Sequence, residues 1–332
     1  MQQLEQIGGR YSWQQTMLRV KDYKKSVEYY QKYFNMTLID QYDFPQWKFS
    51  LYFMASIQPD QISKLPTPGT EESHKFLWTF DGVVLELTYN YDTEKDENLH
   101  YHPGNTTQNE NQKDGFGHIA FHVDDVYKFS EDLEKDGVQF KKRPDEGRMK
   151  GLAFAYDPDG YWVEIIKRPE GTKLKGQVTL GQTMLRVKDA EKSVKFYQEI
   201  FQMKLVCEKH FDDFSLYFLA TLPEGVKAPE NLNSQEAFDF AKSQEFPVLE
   251  LTHNHGTEKM EKFEYLSGNT EPYKGFGHIG FLVDDVYKAC EFMEQKGTQF
   301  QKKPDAGNMK GLAFAKDPDG YWIEIVKRGW VL

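Results

Sequence analysis

Cysteine is nearly absent. The 332 residues contain two, Cys207 and Cys290, too few for a disulfide framework; both read as small buried hydrophobes, and a reducing, cytoplasmic setting fits them. No run of about 18 apolar residues occurs, so no membrane-spanning helix is expected. The opening MQQLEQIGGRYSW lacks a basic stretch followed by an apolar one, so no secretory leader is expected. A positive excess is missing too. The formal charge of −11 argues against nucleic acid or an anionic membrane surface as partner, and an anionic small molecule would need local Arg and Lys residues. HExxH and CxxC spacings are absent. What remains is an ordinary globular composition, 39% hydrophobic and 28% charged, in a chain long enough for two cores.

The chain repeats itself. QTMLRVKD at 15–22 recurs at 182–189, GFGHI at 115–119 recurs at 275–279, and VDDVYK at 123–128 recurs at 283–288. SLYF and the MKGLAFA…DPDGYW block recur as well. Length differences fall at roughly 42–82 and 91–115, segments rich in Pro, Gly and charge that read as surface loops. The expected division is 1–168, a linker at 169–174, and 175–332.

Gln15 to Val20 alternates as a strand. Asp22 is a plausible N-cap for a helix bearing Val27, Tyr30 and Phe34 on one face. Segments 49–54, 83–89 and 117–123 read as strands. Asp125 starts a second helix with Val126, Phe129 and Leu133, and Gly137 stops it. Strands 152–156 and 161–166 flank the DPDG turn. Each half therefore reads as two βαβββ modules, an α+β fold of four modules in two pseudo-symmetric domains.

The informative residues are polar ones inside apolar strands. Glu86 and its counterpart Glu250 sit in VLELT, Glu164 and Glu324 in YW[VI]EI. A carboxylate buried there is costly unless it is paired or ligates a metal, although a half-exposed strand would let it face water. Of nine histidines only His118 and His278 occupy matching positions. Gln15 and Gln182 complete the set. Period-two geometry puts Gln15, Met17 and Arg19 on one strand face, and Glu86, Thr88 and Asn90 on another. Each face thus joins a candidate ligand to a second polar group about 13 Å away. One Gln, one His and two Glu suit zinc, nickel, cobalt or manganese.

These segments, QQTMLRVKD, KFSLYF, LELTYN, GFGHIAFHVDDVY and MKGLAFAYDPDGYWVEI with their repeat copies, resemble the eukaryotic glyoxalase I family of the vicinal oxygen chelate superfamily. The resemblance covers nearly the whole chain and implies a lyase that isomerises the glutathione–methylglyoxal hemithioacetal to lactoylglutathione. It implies sites shared between halves: Gln15 and Glu86 with His278 and Glu324, and Gln182 and Glu250 with His118 and Glu164. The chain would then be a monomer built as an intramolecular pseudo-dimer; sites confined to one half are the competing geometry. The implied cofactor is a divalent metal, zinc first, with nickel or cobalt as alternatives, and glutathione is the co-substrate. Glu324 and Glu164 are the implied bases, with Glu86 and Glu250 as ligands serving the other stereoisomer. Glutathione contacts carry over to Arg19, Asn90, Lys302 and Met309, and to Arg186, Asn254, Lys142 and Met149, the lysines and methionines belonging to mobile loops over the substrate. Phe44, Leu51 and Phe53, and Phe211, Leu216 and Phe218, match the methyl-group pocket or serve as plain core. The basic residue expected before GFGH is Lys274 in the second half, but Asp114, preceded by Lys113, in the first, which predicts weaker substrate binding at the His118 site. The alternatives are a non-catalytic binding module or a dioxygenase of the same superfamily, or an enzyme with one active site of two.

Overall fold

The computed structural model describes residues 5–107 and 109–330; the first four residues of the segment searched for a leader lie outside them. The first module runs β1 (Ser12–Val20), helix Tyr23–Phe34, β2 (Met36–Phe44), β3 (Phe49–Ser56) and β4 (Val84–Asn90). After a short β5 (Gln112–Asp114), the second comprises β6 (Phe116–Val123), helix Val126–Lys135, β7 (Phe140–Lys142), β8 (Leu152–Tyr156) and β9 (Trp162–Lys167). The third is β10 (Thr179–Arg186), helix Ala190–Phe201, β11 (Lys204–His210), β12 (Phe214–Ala220) and β13 (Val248–Asn254). A short β14 (Glu264–Leu266) precedes the fourth: β15 (Phe276–Val283), helix Val286–Gln295, β16 (Phe300–Lys302), β17 (Ala313–Lys316) and β18 (Trp322–Lys327).

Local chemistry starts the helices where expected. Asp22 accepts from the amides of Lys24 and Lys25, and Asp125 from that of Lys128, satisfying N–H groups that lack intrahelical partners. Tyr30 and Phe34 are buried, joined by Tyr29, and Gly137 takes the left-handed conformation just past the second helix.

The sheets cross the sequence halves. One runs β16-β17-β18-β15-β1-β4-β3-β2, joining the fourth module to the first; the other runs β11-β12-β13-β10-β6-β9-β8-β7, joining the third to the second. Each junction is an antiparallel pair, β1 with β15 and β10 with β6. Between the sheets, Thr16 and Thr183 Oγ1 atoms lie 2.7 Å apart and the Phe116 and Phe276 rings stack at 5.0 Å. The largest core cluster contains Leu18, Ile119, Leu185 and Ile279, one from each module. One core therefore serves both sheets.

One segment differs from the loop reading. Within 57–82 lies a helix, Glu71–Leu77, opened by a reciprocal Thr70–Ser73 capping box; Leu77 and Trp78 behind it are buried in a second cluster. Serine in place of the usual Glu or Gln at the third helical position hides this start in the sequence. The segment around the expected linker is anchored to the fold. Leu174 is 2% exposed, and buried Arg168 donates to the carbonyls of Leu174, Gln177 and His122, to Thr179 Oγ1 and to Asp124.

Candidate metal centres

Strand register brings the singled-out residues together. Met17 pairs with Glu86 on one side and His278 on the other. Gln15 lies opposite Gly280, which lies opposite Glu324. Position 280 must be small here, because a Cβ on it would stand 2.5 Å from Gln15 Cγ. A side chain at Gly277 would likewise strike the Met17 thioether, 2.4 Å from Cε, so the glycine of GFGH lets β15 lie close over Met17.

In the first cluster Gln15 Nε2 is 2.7 Å from Glu86 Oε2, 2.6 Å from Glu324 Oε2 and 3.0 Å from His278 Nε2. His278 Nε2 is 3.3 Å from Glu86 and 3.4 Å from Glu324. In the second, Gln182 Nε2 is 2.6 Å from Glu250, 3.0 Å from Glu164 and 3.5 Å from His118, and His118 Nε2 is 3.0 Å from Glu164. All eight residues are buried. One ligand atom from each Glu, His and Glu of a cluster lies within 4.8 Å of the others. Both clusters draw on both sequence halves; neither is confined to one.

Two buried carboxylates with one imidazole need a cation. Without a metal the proton fills that role. Burial depresses the imidazole pKa, but Glu324 and Glu86 overcome it and raise His278 to about 9, and Glu164 and Glu250 do the same for His118. Gln15 Oε1 is buried with no hydrogen-bond partner. An amide half-turn exchanges its oxygen and nitrogen and would aim that oxygen among the three ligand atoms. Each cluster then presents one nitrogen and three oxygens, a set that fits a divalent zinc, nickel or cobalt ion.

The outlying residues divide cleanly between the clusters. Arg19 donates to Asn269 Oδ1 at 2.8 Å and to the carbonyls of Gly268 and Phe276 beside the first cluster; Arg186 repeats this with Asn105 at 2.6 Å. Burial lowers both guanidinium pKa values without approaching neutrality. Asn90 and Asn254 donate to Tyr101 and Tyr265 hydroxyls. Lys302 Nζ is tied to the Met309 and Leu312 carbonyls, Lys142 to that of Leu152. Burial lowers these lysines, opposed by Glu324 and Glu164 respectively. Met309 packs into the cluster of Phe44, Leu51 and Phe53, whereas Met149 is exposed. Leu216 and Phe218 share a third cluster, but Phe211 is exposed at 37% and stacks on Phe214 instead.

Asp114 and Lys274 do not present the free, opposite charges expected. The Asp114 carboxylate accepts from the Thr106 and Thr107 amides and lies 2.5 Å from His102 Nε2. Burial pushes its pKa up, yet these bonds win and hold it below the usual carboxylate value. Lys274 is paired with Glu271 at 2.8 Å. Asp114 thus stays ionised inside its loop, while the Lys274 pair is half-exposed and exchangeable.

Sequence reasoning missed Asn105 and Asn269, whose signal was the repeated GNT at 104–106 and 268–270. It also missed Phe154 and Phe314, which lie opposite Glu164 and Glu324 and meet His118 and His278 edge-on at 5.2 and 5.3 Å.

A family model described as the Glyoxalase/Bleomycin resistance protein/Dioxygenase superfamily matches residues 13–165 and 179–325. Glyoxalase I of Saccharomyces cerevisiae is 42% identical, covering 95% of this chain and 92% of its own. Lactoylglutathione lyase of Schizosaccharomyces pombe is 40% identical, covering 96% and 97%. The crystal structure of glyoxalase I from Zea mays superposes with a TM-score of 0.67 at 27% identity, covering 96% of this chain and 92% of that one.

Proposed function

Because the chain belongs to the Glyoxalase/Bleomycin resistance protein/Dioxygenase superfamily and, within it, to the glyoxalase I family of lyases, we propose that both clusters are metal centres isomerising the glutathione–methylglyoxal hemithioacetal to S-D-lactoylglutathione. Gln15, Glu86, His278 and Glu324 hold one ion, and Gln182, Glu250, His118 and Glu164 the other. The observation that carries this is the convergence of three ligating groups within 4.8 Å, twice, in buried surroundings. Zinc is the first candidate, with nickel or cobalt next.

A bound divalent cation supplies Lewis-acid stabilisation of the enediolate charge. The chain supplies the rest. Glu324 and Glu164 take the proton from the carbon bearing sulfur and return it to the neighbouring carbon. Glu86 and Glu250, each held by a threonine hydroxyl at 3.1 Å, serve the opposite stereoisomer. Arg19, Asn90, Lys302 and Lys274 bind the glutathione of the first site; Arg186, Asn254 and Lys142 bind that of the second. Met309 and Met149, on the loops after Lys302 and Lys142, close over the intermediate and keep water out.

The sequence halves 1–168 and 175–332, joined at 169–174, act as the two protomers of a pseudo-dimer within one monomeric chain. Two buried, unpaired thiols support a cytoplasmic setting. Among the described residues no helix is long and apolar enough to cross a membrane. The test is thioester formation from glutathione and methylglyoxal before and after chelation. Activity lost by at least about tenfold on stripping and restored by zinc, nickel or cobalt supports the reading; chelator-resistant turnover, or none in any metal form, contradicts it.

A further inference from the structure

The ligand sets of the two sites match, but the apolar ends beside them do not. In the first site Phe53 lies opposite Glu86 and packs edge-on against Trp78 at 5.8 Å. Trp78 meets Trp330 and donates to the Tyr42 hydroxyl at 2.8 Å. Leu282, two positions beyond Gly280 on the strand of His278, belongs to the same cluster. Asp40 behind Tyr42 is buried and fully engaged by Gly69, Ser73 and His74. This end is aromatic, and its one buried acid is spent.

The second site replaces these residues. Phe218 lies opposite Glu250, as Phe53 does opposite Glu86. The second half has a helix Gln235–Ser243 capped by Ser234, and aligning that cap with Thr70 puts Lys242 where Trp78 stands. Aligning Met36 with Met203 puts Lys209 at Tyr42 and Cys207 at Asp40. Lys242 and Lys209 flank the Phe238 ring, their Nζ atoms at 4.0 and 5.3 Å from its centroid, and Phe238 packs against Phe218 at 6.2 Å. The Lys242 side chain is 15% exposed; its nearest acid is Asp239 at 3.8 Å on the same helix. Glu208 is turned toward His210, and neutral Cys207 offers no counter-charge. His122 takes the place of Leu282. It is 3% exposed and its Nε2 has no hydrogen-bond partner. Its ring lies over Gly181, where a Cβ would come within 2.5 Å; the first half has Gln14 there, donating to the Leu77 carbonyl. A tryptophan, a tyrosine and a leucine have become two lysines and an unpartnered imidazole.

We propose that the two centres divide the substrate range. The site of Gln182, Glu250, His118 and Glu164 takes 2-oxoaldehydes whose side chain ends in a carboxylate or another strong hydrogen-bond acceptor, with Lys242 and His122 as its specificity-determining residues. The site of Gln15, Glu86, His278 and Glu324 takes apolar side chains. A desolvated ammonium and an unpaired imidazole are satisfied by an anionic chain end and left unpaired by a methyl group. Trp78 offers an anion nothing. The inference rests on the glyoxalase reading above.

The experiment isolates each site in the full-length chain: Glu86→Gln with Glu324→Gln leaves the second, and Glu164→Gln with Glu250→Gln leaves the first. Each is assayed with glutathione and either methylglyoxal or 4,5-dioxopentanoate, and kcat/KM is compared. The expected ratio of carboxylated to methyl substrate is at least about tenfold higher for the second site. Lys242→Met in the second-site enzyme should remove that advantage with methylglyoxal turnover kept, which also certifies folding. The reciprocal Trp78→Lys in the first-site enzyme should raise its ratio. Equal ratios in the two isolated sites, or a ratio insensitive to Lys242→Met, overturn the division while leaving the glyoxalase reading standing. Loss of methylglyoxal turnover in the unaltered chain would overturn both.

Discussion

In the proposed mechanism four side chains per site carry the chemistry, and all eight are buried. Glu164→Gln with Glu324→Gln removes both proposed bases while keeping shape and an oxygen donor. We expect kcat to fall by roughly 10²–10⁴-fold with metal still bound; either single variant should retain the turnover of its untouched site. A double variant within tenfold of the parent would remove these residues from the proton transfer. The imidazoles make a second prediction. In the metal-free chain His118 and His278 carry a proton with pKa values of about 9, and only the neutral ring can ligate. Below that pH each metal ion must displace a proton, so affinity falls about tenfold per pH unit as pH drops. Calorimetry at pH 7 in buffers of differing ionisation enthalpy should show about two protons released per two ions bound; no release would contradict the account.

At the scale of elements, the DPDG turns do more than reverse the chain. Asp157 accepts from the amides of Asp159 and Tyr161 and from the Tyr30 hydroxyl, and Asp317 repeats this with Asp319, Tyr321 and Tyr197. The turn also ties the first helix down, because Asp159 accepts from the Lys21 amide and Ser26. Burial, with help from Asp159 and Asp319, pushes Asp157 and Asp317 up to about 8. The folded chain therefore binds these protons where the unfolded chain, with its ordinary carboxylate pKa of about 4, does not. Their contribution to stability is fully present below about pH 4 and is lost as pH rises through about 8. Asp157→Asn with Asp317→Asn should flatten the decline of Tm between about pH 5 and 8, read by calorimetry; an unchanged slope would place these groups outside the pH dependence.

The elements legible in the sequence were those with a local signal. The strand around Gln15 announced itself by alternation, those around Glu86 and Glu164 by apolar runs, and the helices by Asp22 and Asp125. The short strand Phe140–Lys142 had too few residues to show a period. Helix Glu71–Leu77 was hidden by its serine cap and by its position in a segment whose length varies between halves. The ligands were legible because a charge inside an apolar strand is conspicuous. Asn105 and Asn269 sit in loops where asparagine is unremarkable. The bonds that hold Asp114 were not legible, because the loop amides that donate them leave no trace in the pattern of residue types.

At the scale of the molecule, each eight-stranded sheet needs both sequence halves, and the segment between them is anchored. Arg168 carries that anchoring. Arg168→Met should leave the carbonyls of His122, Leu174 and Gln177 without their donor and cost roughly 2–4 kcal/mol, seen as a lower midpoint in denaturant. A cost below about 0.5 kcal/mol, the range of an ordinary surface substitution, would show the linker to be dispensable. The second half repeats the device at the start of the chain, where Arg328 donates to Ser12 Oγ and Asp284. The duplication has preserved the clamp as well as the candidate ligands.

That ligands come from opposite halves is best tested by counting metal. The stripped chain, reloaded with zinc, should bind two ions. Glu86→Ala with His278→Ala, one residue from each half, should remove a single ion, since both belong to one centre. Glu86→Ala with His118→Ala, both from the first half, should remove both. The reverse pattern, two ions lost across halves and one lost within a half, would mean that each half builds its own site.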